Sequence, residues 1–521
     1  MERSLSPANL FSGLASLALA AFVGLCACAA AMAFGEPTKK KLIFVAGALV
    51  LGLMILVTRR PRPILLFIWT FFLPYNRMYY SFDRVFGDHG PQGFYWIPTD
   101  LILVALLGLW VYERVVVKHA APPAGPRLAR WLIPFAVVCL LSGLAAERAS
   151  WTLFEMARLG KFALILLFVR YNFGWLEWWA CLAALGCSTI VQSGLAMMQL
   201  ALKSTAGVLG LLGGGGDAAL QEVGAAALGG WIRGVGTIGH PSNLACYLLM
   251  PIPVFIALAL TAVRREHRLI CGLVALVGFA GLGWTLSRWP CALMLAQILL
   301  LLVALVVAGQ VPARRVIGLA GVGAFAAGVV LFAFQDVIYE RLTRDLRESL
   351  DFRAKDRRIA FQIFESSPLL GVGLNNYAVH LLKYDPEIRW AIENADEVRW
   401  TLRVRTFVAL HNYYLFALAE TGVLGLGALI LFYSRVVQLG LRSVRSTTGP
   451  WKGASLGLLV GILGVYGQGF IDFSFWVDPI LYTFALISGM LVIAPALSDT
   501  SVSPHGATVS SAFVAGGGNR G

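Results

Sequence analysis

The chain has 521 residues, of which 58% are hydrophobic and 13% charged, with a mean hydropathy of +0.74. Soluble domains carry about 25% charged residues, so this apolar excess has to meet lipid, and a soluble enzyme, a fibrous protein and a disordered chain are excluded. The net charge of +14 gathers in short hinges between apolar runs: Arg59, Arg60 and Arg62; Arg114, Lys118, Arg127 and Arg130; Arg264, Arg265 and Arg268; Arg314 and Arg315; Arg435, Arg442, Arg445 and Lys452. That is a positive-inside pattern and assigns those hinges to the cytoplasmic side, so the basic charge gives no reason to expect a nucleic-acid partner.

In chain order, apolar runs cover residues 9–34, 42–58, 63–75, 99–117, 131–146, 151–169, 173–200, 242–263, 269–286, 289–309, 316–335, 413–433, 453–471 and 476–494. Each reads as a helix, because lipid leaves backbone groups no other partner and these runs lack the alternation of barrel strands. The run 63–75 is short enough to be re-entrant. The first run exceeds the 7–15 apolar residues of a signal peptide and reads as a retained helix. The expected fold is all-α: a polytopic bundle of about 12–14 transmembrane helices with one large, mostly helical loop domain.

Four parts follow: about eleven helices in 1–335, the loop domain 336–412, three helices in 413–495, and a disordered cytoplasmic tail, 496–521. With the C-terminus inside, 76–98, 201–241 and 336–412 fall outside, although Lys39, Lys40 and Lys41 then fall outside as well, against the rule. Residues 336–410 hold twelve basic and twelve acidic side chains and are neutral. Ile338, Leu342, Leu346 and Leu350 form an apolar stripe of one helix, and Arg357 to Phe364 suggest a second, stopped by Ser366-Ser367-Pro368.

All eight cysteines lie in apolar runs, so no disulfide staples the loop domain, and no CxxC pair suggests zinc. Gly213 to Gly216 are followed by Asp217, where a phosphate-binding loop needs Gly-Lys-Ser/Thr, so this segment reads as a connector. Gly371-Val372-Gly373, after Pro368, reads as a turn. In run 151–169, Glu155 with Arg158 one turn on, and Lys161 beyond it, reads as structural ion pairing.

Three outside-facing spots combine unusual polarity with a membrane edge. They are Arg233-Gly-Val-Gly-Thr237-Ile-Gly-His240-Pro-Ser-Asn243, the turn Thr285-Leu-Ser287-Arg288-Trp-Pro290, and His411-Asn412-Tyr413-Tyr414, which leads on to Glu420-Thr-Gly422 and Gly425. Taken alone, the arginines read as interfacial side chains snorkelling to headgroups, and the histidine as an interfacial anchor. With Ser367-Pro368-Leu-Leu-Gly371-Val-Gly373, these motifs resemble, over residues 130–495, the O-antigen ligase and O-antigen polymerase superfamily of bacterial surface-polysaccharide enzymes.

The resemblance implies a multi-pass protein of the bacterial inner membrane with its active site and large loop in the periplasm. It would transfer a glycan from an undecaprenyl-diphosphate donor to an acceptor sugar, either on lipid A–core or on the next lipid-linked repeat unit. A flippase and a chain-length regulator are the partners it suggests. Arg233 and Arg288 would bind the donor diphosphate, with Arg288 and His411 catalytic; His240, Asn243, Asn412 and Glu420 are further candidates. Guanidinium groups suit a diphosphate leaving group, because they stay charged and pair with phosphate oxygens bidentately. A histidine, titrating near pH 6.5, suits an acceptor hydroxyl. No Asp-x-Asp pair heads a helix and no His/Asp ligand cluster is present, so a metal-independent transfer with no cofactor is expected, and the enzyme is taken as inverting. The residues do not separate ligase from polymerase. A lipid-linked glycan transporter or flippase is the alternative from another class, although the chain lacks the two-fold repetition usual in transporters.

Overall fold

The computed structural model describes residues 61–76, 79–82, 94–116, 125–202, 227–228, 231–318, 346–386 and 410–501. The expected runs 9–34 and 42–58, nearly all of 316–335, the glycine-rich connector, the start of the 338–350 stripe and most of the tail lie outside these residues. Each of the other eleven runs carries a helix. They are α1 (Pro61–Phe72), α2 (Pro98–Val115), α3 (Ile133–Leu144, after a 3-10 turn), α4 (Ala149–Asn172), α5 (Trp175–Leu202), α6 (Pro241–Leu248) with α7 (Pro251–Thr261), α8 (Arg265–Trp284), α9 (Arg288–Val307), α12 (Tyr413–Ser446), α13 (Gly449–Gln468) and α14 (Asp478–Ser501). Between α9 and α12 lie α10 (Leu346–Ser366) and α11 (Tyr377–Tyr384). Two short antiparallel pairs, Tyr79–Phe82 with Phe94–Trp96 and Ala227–Leu228 with Trp231–Ile232, are the strands among the described residues.

Six helical stretches among the described residues are long and apolar enough to cross a membrane: 175–202, 241–261, 265–284, 288–307, 413–446 and 478–498. The fold is an all-α polytopic bundle. Helix α14 is almost wholly enclosed, whereas α8 and α9 turn Leu269, Leu273, Leu276, Leu295 and Leu299 outward, as lipid-facing helices do.

The run expected over 242–263 is broken rather than continuous. Pro251 and Pro253 lack N–H groups, so the carbonyls of Tyr247 and Leu249 lose their helical donors. Met250 N–H takes the first at 3.1 Å. The Gln297 amide on α9 takes the second at 3.1 Å and also reaches the Val460 carbonyl on α13 at 2.8 Å. Helix α13 fits against the break because Gly457 and Gly461 lie where a Cβ would stand 2.4 Å from Val254 Cα and the Met250 carbonyl. Small residues allow the close backbone approach on which packing in lipid relies.

Among the described residues, the end of the first helix expected in the loop domain and the second are continuous. Residues 346–366 form a single helix, α10, whose buried Ile359, Ala360 and Ile363 pack with Val372, Tyr377, Leu381, Leu410 and Ala419 in a small core of their own. The glycine turn then docks on α12. Gly422 takes φ 63°, so α12 breaks there. The carbonyls of Ala419 and Glu420 accept from Val372 N–H (3.1 Å) and Gly373 N–H (3.0 Å), and Val423 N–H donates back to the Pro368 carbonyl (2.9 Å). A Cβ on Gly371 would stand 2.2 Å from the Glu420 carbonyl carbon, and one on Gly422 would stand 2.3 Å from Leu369.

Candidate functional site

The hydrogen bonds bring the three polar motifs to one end of the bundle, away from the basic hinges. Two glutamines on α5 shape the first. Gln199 accepts from the N–H groups of Val235 (2.9 Å) and Gly236 (3.0 Å) and donates to the Gly236 carbonyl. Gln192 accepts from Thr237 N–H and donates to its hydroxyl. Gly236 has φ 57°, and a Cβ there would strike Gln192. So held, the buried Arg233 side chain crosses to the turn before α9, donating to the Thr285 carbonyl and to Ser287 Oγ, each at 2.9 Å. Ser287 immediately precedes Arg288, which opens α9 and is half-buried. The Arg233 guanidinium thus reaches the turn from which Arg288 opens a helix N-terminus, an arrangement suited to an anion.

The second group forms around Asp472, in the connection between α13 and α14. Ser242, in the first turn of α6, donates to its carboxylate, and the Gln468 amide donates to Ser242 at 3.3 Å. His411 Nδ1 faces the same carboxylate at 3.8 Å. His240 caps α6 through Nδ1, which accepts from Ser242 N–H at 3.2 Å. Burial pushes the Asp472 carboxyl up, but His411, Ser242 and His240 together outweigh it and hold the group well below the usual carboxylate range. On the other side of His411, Asp356 of α10 accepts its backbone N–H. Burial pushes that carboxyl up to about 6, against the pull of His411 and Lys355.

The two groups are joined. The Trp289 indole, next to Arg288, donates to the Gly467 carbonyl at 3.2 Å, and Gln468 follows directly. Residues 252–430 match the family model described as O-antigen ligase. Over this segment the chain is similar to the O-antigen ligases. This similarity and the apolar helices support a multi-pass membrane protein of the O-antigen ligase/polymerase type. No curated protein matches the chain.

The matched segment contains Arg288, His411, Asn412 and Glu420, while Arg233, His240, Asn243 and Asp472 lie outside its bounds. Asn412 is occupied structurally: its Oδ1 accepts from Leu415 N–H (2.9 Å) as the cap of α12, and its amide donates to the Phe470 carbonyl (3.0 Å). Glu420 lies on the buried side of the glycine turn, where its carboxylate caps α11 by accepting from Tyr377 N–H at 3.1 Å. Asn243 sits half-buried in the first turn of α6, beside Ser242. Among the described residues, no group of three or more His, Cys, Asp or Glu is placed to hold a metal ion. The geometry adds Asp472, Ser242, Gln468 and Asp356 to the candidates read from sequence.

Proposed function

We propose that the protein transfers a glycan from undecaprenyl diphosphate to an acceptor sugar at the end of the bundle bearing Arg233, Arg288 and His411, facing the periplasm from the inner membrane. The observation that supports this reading is the contact chain Arg233–Ser287, Trp289–Gly467, Gln468–Ser242–Asp472 and His411, which joins the turn before Arg288 to His411.

In the proposed step, the acceptor hydroxyl oxygen attacks the anomeric carbon of the donor sugar. The bond from that carbon to the diphosphate oxygen breaks, and its electron pair leaves with the diphosphate. Arg288 and Arg233, with the N-terminus of α9, stabilise the charge that develops there. The hydroxyl proton passes to His411. Asp472, held ionised by its partners, orients the imidazole through Nδ1 and stabilises the imidazolium that forms. A single displacement inverts the anomeric centre, and two guanidinium groups supply the positive charge that other glycosyltransferases draw from a metal.

The test is transfer by the purified protein from lipid-diphosphate glycan to acceptor after exhaustive chelation. Turnover should persist with inverted stereochemistry; loss under EDTA restored by a divalent cation would refute the arginine-based mechanism. Ligase and polymerase differ in the glycan of a deletion strain. A ligase loses attachment and keeps lipid-linked polymer, whereas a polymerase leaves single repeat units.

A further inference from the structure

Helix α4 carries a charged group that the mechanism does not use. Arg158 is 4% exposed, Glu155 1% and Asp478 0%. The three nitrogens of the guanidinium serve three partners: Nε and one terminal nitrogen engage Asp478 (2.6 Å), another engages Glu155, and the Trp476 carbonyl also accepts. The guanidinium lies 5.2 Å from the Trp476 ring centre, and the Tyr95 hydroxyl donates to the other Asp478 oxygen at 2.7 Å. Lys161, one turn on, pairs with Asp100 at 3.0 Å. Burying such charges costs several kcal/mol each before their attraction is counted, and the pair seldom returns more than it costs. A function in fixing geometry accounts for the retention of such a group better than stability does.

The geometry fixed is that of the connection between α13 and α14. Trp476 and Asp478 form its C-terminal end, and Asp472 stands at its N-terminal end. Between them runs a short 3-10 turn, Ser474–Trp476. We propose that Arg158 is a positioning residue: by clamping Trp476 and Asp478 to α4 it sets the connection so that Asp472 faces His411. This rests on the reading of His411 and Asp472 as the proton-handling pair. Lysine preserves the charge but not the planar three-way fork, so Arg158→Lys loosens the clamp without leaving the acids unneutralised.

The experiment is a double-mutant cycle on the full-length protein in nanodiscs, with Arg158→Lys, Asp472→Asn and the double variant, joined by hydrogen exchange over 470–477. Asp478→Asn serves as a second break of the clamp should Arg158→Lys fail to accumulate. Displacing a catalytic group by about an ångström costs about a hundred-fold in rate, so kcat should fall by that order with the KM of both substrates unchanged. In the Asp472→Asn background the same change should cost less than about threefold, because coupled residues do not add. Exchange over 470–477 should quicken in either clamp variant. Losses that multiply, or unchanged exchange, overturn the positioning role. Normal turnover in Asp472→Asn alone overturns the reading of the His411 pair, and the proposal with it.

Discussion

Arg233 donates to Ser287 Oγ at 2.9 Å, and Ser287 is the residue that leads into Arg288. Fifty-four residues separate Arg233 from that hydroxyl, yet the contact makes the two arginines neighbours. In the proposed mechanism each substitution therefore reports on the same anion site. Arg288→Lys and Arg233→Lys should each lower turnover about a hundred- to a thousand-fold, since a point-charge ammonium cannot replace a guanidinium fork. The protein should still insert and accumulate. Arg264→Ala, at the opposite end, is the control and should turn over normally. Near-normal rates in both lysine variants would return these arginines to the role of interfacial anchors.

His411→Ala should abolish transfer while lipid-linked donor still binds, because its proposed partner is the acceptor hydroxyl. Asp472→Asn should retain donor binding and lose about a hundred-fold or more in kcat, having lost the charge that stabilises imidazolium. Equal loss of donor affinity in both variants would place them at the diphosphate instead.

The Asp356 carboxyl is held at about 6, above the 3.8 of an unperturbed aspartate. Between those values the folded protein binds a proton that the unfolded chain releases. The stability contributed is fully present below 3.8 and is lost as the pH rises through about 6. Thermal unfolding of wild type and Asp356→Asn across this range should show wild type losing ground as the pH rises. Parallel curves would refute it.

Gly371→Ala drives a methyl group against the backbone of Glu420, at a residue with φ 70°. The loss should be about 1–3 kcal/mol or a failure to accumulate, since neither backbone can yield without breaking the Val372 and Gly373 hydrogen bonds. Gly427→Ala, with open space around its Cβ position, should be tolerated.

Topology has its own test. A reporter active only outside the cytoplasm should work when fused at about 345 or 385 and fail at about 266 or 445. Failure at 385 would place the candidate site on the wrong face for a periplasmic donor.

The arginines and His411 could be read from the sequence because each is a polar interruption at the edge of an apolar run. Asp472 could not. It lies in Gly469-Phe-Ile-Asp472-Phe, where the apolar runs 453–471 and 476–494 almost meet, and a lone carboxylate there resembles an ordinary interfacial residue. Its one legible signal was that the connection falls on the same side as the three motifs. Asp356 was hidden differently, as one acid among twelve in a neutral segment. Hydropathy carried 242–263 as a continuous run because Pro251 and Pro253 leave it apolar, although they remove two backbone donors. Arg158 was legible as an ion pair with Glu155. Its contact with Asp478, 320 residues away, was not, because local spacing carries no information about a distant partner.

The small core beneath α10 and α11 borrows one wall from α12: Ala419 is among its buried members, and Leu415 and Phe416 pack against it. Ahead of the break at Gly422, the first turns of α12 serve that core through Leu415, Phe416 and Ala419 and the main bundle core through Tyr413 and Ala417. An excised fragment ending at residue 412 would expose Ile359, Ile363, Val372 and Tyr377 to water on the side where those turns belong. Such a fragment is expected to aggregate rather than fold, so this soluble-looking loop can be studied only with the membrane helix that completes it.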